Sequence, residues 1–140
     1  MYFTTHLLAG AALGTGLHNP LLALPAGLLS HAALDAVPHH DYWRAGSGAL
    51  DLFCGLGILA GLMAWQARAG TGAALSLLAG AAGGTLPDLE LVLAYLGVIG
   101  RRLRFPSHSG LVPHPQTSFW RGALNQGAVA ALALLLLALA

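Results

Sequence analysis

"LNQGAVAALALLLLALA", residues 124–140, contains no charged residue. Beyond Gln126 it is built from Gly, Ala, Val and Leu alone. A helix at the surface of a soluble domain needs a polar face, and this segment has nothing to make one. Its length approaches the roughly 20 residues that a helix needs to cross a bilayer. Two further segments read the same way. "GSGALDLFCGLGILAGLMAWQ" (46–66) has Asp51 as its only charge, and "GTGAALSLLAGAAGGTL" (70–86) has none. Only 8% of the chain is charged, where about 25% is usual for a soluble domain. The 140 residues make one domain. The expected class is all-α, a polytopic transmembrane bundle of about five or six helices forming a single integral-membrane domain over 1–140. A soluble bundle of this composition would leave its outer faces without polar groups.

Turn residues place the helices. The first is expected over 3–17, stopped by "GLHNP". The second starts at Pro20 and runs to about 36, with a kink or break at Pro25. A loop follows over 37–45. The third helix covers about 47–67. The fourth covers about 72–86 and ends at Pro87, and a short fifth lies over 88–99. "GRRLRFPSHSGLVPHPQTS" (100–118) holds three prolines and reads as a loop. The last helix covers about 119–139. Gly10 and Gly14, Gly57 and Gly61, and Gly80 and Gly84 are each four apart, a spacing that lets helices pack closely in lipid. Tyr42, Trp43, Trp65 and Trp120 sit at helix ends, where an interfacial aromatic belt belongs.

Several functions are disfavoured at once. All six basic residues are Arg and form no stripe for nucleic acid. "MYFTTHLLAG" has no Lys or Arg before its apolar run and does not read as a secretory signal. Cys54 is the sole cysteine, so an internal disulfide is impossible.

The polar residues are concentrated. "SHAALDAVPHHD" (30–41) contains three histidines and two aspartates. His31 and Asp35 are one helical turn apart and share a face, a natural chelating pair for a divalent metal. His6 opens the first helix, Asp51 lies near the start of the third, and Asp88 and Glu90 follow the fourth. If the helices alternate in direction, all of these fall in one layer. Ionisable groups inside apolar helices are functional candidates by default. His39 and His40 fit this layer equally well as histidines that merely face water. His18 reads as a turn residue.

Four pieces, "HLLAG" (6–10), "SHAALD" (30–35), "LPDLE" (86–90) and "HSGLVPH" (108–114), resemble the small membrane-bound metal-dependent hydrolases. That family combines an early histidine, an L-P-D-[IL]-[DE] motif and a late pair of histidines. Here Glu90 stands where Asp is more usual, and the late histidines are one residue further apart. "HAALDAVPHH" is more distantly similar to the zinc-dependent phospholipase C and single-strand-specific zinc nucleases, which are all-helical and use His-x3-Asp followed by another histidine. This similarity implies a cluster of two or three zinc ions and phosphoester hydrolysis; the expected cofactor is one to three divalent ions, with zinc the first choice.

The expected metal ligands are His6, His31, Asp35, Asp88, His108, His114 and His40. Asp51 and Glu90 are the expected catalytic carboxylates. Arg101, Arg102 and Arg104 suit an anionic headgroup, and equally suit an interfacial anchor that sets topology. No G-x-S-x-G or H-E-x-x-H motif is present. A lipid or lipid-linked phosphoester arriving at the membrane edge is the expected substrate, membrane lipids are the expected partners, and the arginines put the site side in the cytoplasm. A non-enzymatic metal-binding or transport protein is the alternative from another class.

Overall fold

The computed structural model describes residues 1–140 except Trp43, Thr71 and Arg101, and omits the side chain of Ala45. The aromatic-belt role expected of Trp43 and the headgroup role expected of Arg101 therefore lie outside the described residues. Among the described residues the fold is all-helical, with five helices: α1 (Phe3–Leu17), α2 (Pro20–Asp35), α3 (Ala45–Ala69), α4 (Ala74–Tyr95) and α5 (Phe119–Leu139). Among the described residues the only β-type pairing is one isolated bridge between His39 and Gln116.

Most boundaries follow from local chemistry. Asn19 caps α2 by accepting hydrogen bonds from Leu21 N (2.9 Å) and Leu22 N (3.4 Å). Pro20 occupies the first helical position, where its missing N–H costs nothing. His18 (φ 49°) and Gly70 (φ 66°) end α1 and α3 in the left-handed conformation. The expected stop at Pro87 and the expected break at Pro25 do not occur. Both prolines lie inside continuous helices, so residues 88–95 of the expected separate helix are instead the last part of α4, and 96–99 are turn. The residues before Pro87 explain the difference. The Gly84 carbonyl, in the turn before Pro87, takes a hydrogen bond from another helix, as described below. Apolar helices tolerate proline when neighbouring helices satisfy the backbone groups it frees.

α4 is the centre of the molecule and packs most extensively against α1 and α2. Glycines make this possible. A Cβ on Gly80 would run into the carbonyl of Gly10 on α1, and one on Gly27 of α2 would run into the carbonyl of Gly80. The Gly57–Gly61 pair on α3 has the same spacing, yet neither glycine has a neighbour within 4 Å of its Cβ position.

Burial is inverted relative to a soluble protein. Phe53 is 71% exposed, Leu124 73% and Leu139 77%, while His6, His31 and His39 are at 0%. Three helical stretches are long and apolar enough to cross a membrane: Gly46–Ala69, Ala74–Tyr95 and Phe119–Leu139. α1 and α2, at 15 and 16 residues, are only about 23 Å long at 1.5 Å per residue.

Side chains tie one end of the bundle together. The first backbone N–H groups of a helix have no partner within it. Here Tyr2 N donates to Gln126 of α5 (2.7 Å), Phe3 N to the Tyr42 hydroxyl (2.8 Å), and Thr4 N to Asp51 of α3 (3.1 Å). The start of α1 is thereby fixed against the starts of α3 and α5.

Candidate metal centre

The ends of α2 and α4, the start of α1, and the loops 36–44 and 96–118 converge at this end of the bundle. Of the seven histidines, all but His18 lie here.

Asp35 is the hub, buried at 1% exposure. Its Oδ1 lies 3.1 Å from His6 Nε2, and its Oδ2 lies 3.2 Å from His31 Nε2, 3.7 Å from His108 Nε2 and 3.6 Å from His114 Nδ1. The Met1 amino group also donates to Oδ1, at 2.7 Å. Asp88 Oδ1 approaches His31 Nε2 at 3.8 Å and His108 Nε2 at 3.9 Å. Three donor groups can each hold a metal ion: His6–His31–Asp88, His31–Asp35–His108 and Asp35–His39–His114. Within each group the donor atoms lie within 4.8 Å of one another. The groups are not independent, because the first two share His31 and the last two share Asp35.

Two backbone carbonyls decide how the imidazoles point. His31 Nδ1 donates to Gly84 O at 2.7 Å, and His39 Nδ1 donates to Val37 O at 2.7 Å. A carbonyl only accepts, so each Nδ1 carries a proton. In the neutral ring, Nε2 then presents a lone pair. For His31 that lone pair faces the Asp35 carboxylate and His108. For His39 it accepts from the Met1 amino group (2.9 Å) and faces His114 Nε2 (3.0 Å) and Asp41 Oδ1 (3.1 Å). On the His39 side the Met1 ammonium already stands among these acceptors; tying the distal ring nitrogen to a carbonyl is also how metal-binding histidines are usually oriented. The donor set fits a divalent ion on these grounds. His6 stacks on His31 with ring centroids 3.7 Å apart, which fixes the His6 ring as well.

The loop groups titrate abnormally. Burial would raise the Asp41 carboxyl, but hydrogen bonding to His39, the Met1 amino group and the His114 ring together hold it below the usual carboxylate range. Burial, and then the nearby His31, push His108 down. Burial and the hydrogen bond to Asp51 push the Tyr42 phenol up.

The other expected residues are placed as follows. His40 is one residue away from the donor groups. Its Nδ1 donates to Thr117 O (3.2 Å), its ring packs edge-on against Phe119, and its carbonyl accepts from Gln126 (3.1 Å). It docks α5. Asp51 binds Tyr42 and the first turn of α1, away from the three groups. Glu90 accepts from the backbone N–H groups of Arg104 and Phe105 (3.0 Å) and lies 3.7 Å from His108 Nδ1, so it holds the loop that carries His108. Arg102 and Arg104 are exposed on that same loop.

Three residues outside the expected ligand set belong to the centre. His39 carried a sequence signal, being adjacent to His40, but only the bridge to Gln116 selects between the two. Asp41 closes the His39–His114 side. Ser107 donates to Asp35 Oδ2 at 2.7 Å and is 3% exposed, and a serine in a proline-rich loop announces nothing. Outer partners of ligands typically matter by 10–100-fold in metal affinity. Ser107→Ala is therefore expected to weaken metal binding about 10-fold without altering helix content. Competition with a chromogenic chelator measures it, and an unchanged affinity would remove Ser107 from the centre.

No protein-family model, no curated protein and no solved structure matches this chain.

Proposed function

We propose that the protein is a multi-pass integral membrane hydrolase, dependent on zinc or a similar divalent ion, that cleaves a phosphoester of a lipid or lipid-linked substrate. The observation that carries this reading is the pair of carbonyl-pinned histidines, His31 and His39. Their Nε2 atoms belong to two donor groups that share Asp35.

In this reading α3, α4 and α5 cross the bilayer. Arg44, Arg102, Arg104 and Arg121 stand at the site end and Arg68 at the other, which favours a cytoplasmic site. His6, His31, Asp35, His39, Asp88, His108 and His114 hold one to three ions. The mixture of imidazole and carboxylate, without thiolate, suits zinc. A divalent ion bound there supplies Lewis acidity and a water of lowered pKa. Asp35 and Ser107 set the ligand geometry, while the Glu90 carboxylate keeps His108 in place. Asp41 and His114, at 45% and 26% exposure, form the open side where substrate enters. The small membrane-bound metal-dependent hydrolases, which the sequence resembles, fit the same reading.

Purified protein in detergent, incubated with phospholipids, lipid phosphates, neutral esters and a casein-type peptide, is expected to release phosphate or a phospho-headgroup, and chelator should stop it. Chelator-sensitive peptide cleavage with inert phosphoesters would overturn the substrate class. Bound metal with no turnover on any substrate would favour a metal-binding or transport protein.

A further inference from the structure

We propose that a groove between the loop 113–117 and the first turns of α5 binds a phosphate-bearing lipid, with Arg121 holding the phosphate and Leu124 bordering the acyl chain. This rests on the reading of the centre as a lipid phosphoesterase.

The groove has a volume of about 460 Å³ and is lined by Pro115, Gln116, Thr117, Arg121, Leu124 and Asn125, among others. That is a size typical of small-ligand sites. Its lining is divided. Arg121, Leu124 and Asn125 stand three and four residues apart on α5 and share a face. The Asn125 amide is already committed to Pro38 O (2.7 Å) and the Gln116 amide to Asp41 (2.6 Å). Among the described residues lining the groove, Arg121 is the only cation, so an anion is the complementary ligand. Its planar guanidinium matches the paired oxygens of a phosphate.

The apolar half points to lipid rather than to a soluble phosphate. Leu124 is 73% exposed, and Trp120, next to Arg121, is 76% exposed. Both lie in the first turns of a helix long and apolar enough to span a membrane. Trp and Arg at the start of such a helix mark the headgroup level. An acyl chain running down Leu124 leaves the phosphate beside Arg121.

The groove is also continuous with the centre. Pro115 O accepts from His39 N (3.2 Å), and Gln116 holds the Asp41 carboxylate. The segment walling the groove is thus the one that presents His39, Asp41 and His114. A headgroup in the groove lies alongside the exposed rim of the donor groups.

The test is equilibrium binding to the full-length protein in detergent, loaded with metal and again after chelation, using dihexanoyl phosphatidic acid, dihexanoylglycerol, inorganic phosphate and hexanoate as separate probes. Phosphatidic acid is expected to bind in both states, with the other three at least about 10-fold weaker. Arg121→Gln should weaken phosphatidic acid about 10-fold, Arg121→Lys should retain part of the binding, and metal content should be unchanged in both. Equal binding by Arg121→Gln would overturn the proposal. So would inorganic phosphate or hexanoate matching phosphatidic acid, or complete loss of phosphatidic acid binding on chelation, which would put the anion on the metal. No turnover is needed, so inert phosphoesters combined with Arg121-dependent binding would sink the hydrolase reading and leave the groove standing.

Discussion

Replacing Asp35 with asparagine is expected to empty the metal centre, lowering affinity by at least about 100-fold, the upper end of what even outer partners of ligands contribute. Asn has nearly the shape of Asp, so packing around residue 35 is kept. What changes is charge and donor character. Asp35 is shared by two of the three donor groups, and its Oδ2 faces His31, His108 and His114 while accepting from Ser107. An amide at this position presents one oxygen and an NH2 with no lone pair. Whichever way the amide is turned, one set of imidazoles loses its anionic partner. Metal analysis of the purified variant measures the effect, with far-ultraviolet circular dichroism to confirm helix content. Asp51→Asn is the control. Asp51 binds Tyr42 and the first turn of α1, so its variant should keep its metal. Stoichiometric metal at unchanged affinity in Asp35→Asn would defeat the centre as described.

Gly80→Leu is expected to cost about 3 kcal/mol or more, the severe end of overpacking. Gly61→Leu should stay within about 0.5 kcal/mol, as surface changes do. The contrast is the point of the experiment, since both glycines lie four residues from another glycine in an apolar helix. A side chain on Gly80 meets the backbone of α1 at two places, Gly10 and Gly14, and backbone cannot move aside as a flexible side chain can. Gly61 has nothing within 4 Å of its Cβ position. Reversible unfolding in mixed detergent measures both. Because α1 and α4 carry His6 and Asp88, Gly80→Leu should also lose metal. Equal stability of the two variants would mean that the α1–α2–α4 contact is not the packing centre.

The sequence by itself determined the helices and their apolar character. α1 and α5 were legible to the residue. Their composition leaves the backbone no stable alternative in an apolar environment, and turn residues bound them. His31 and Asp35 were legible as a pair because helical periodicity alone puts residues four apart on one face. Asp88 and Glu90 were legible as costly groups in an apolar chain, the late histidines only through the family resemblance, and each does lie at this end of the bundle.

Tertiary structure decided the rest. Pro87 reads locally as a stop, but local sequence does not contain the groups that compensate for a proline. The Gly84 carbonyl, in the turn before it, finds its donor in His31, 53 residues away. Asp51 reads as one more acid in an apolar helix, and only the fold sets it against the first turn of α1. The three glycine pairs are identical as patterns, yet two lie in the α1–α4 contact and one faces outward, since a spacing states what a helix permits and not which neighbour arrives. His39 and His40 are adjacent in a loop without periodicity, so no local rule assigns their directions. The pairing of His39 with Gln116 and the carbonyl of Val37 turns His39 into the centre and leaves His40 to dock α5. Ser107 is bound by one hydrogen bond across 72 residues. Such contacts depend on how distant segments close on one another, which is information that the chain encodes only as a whole.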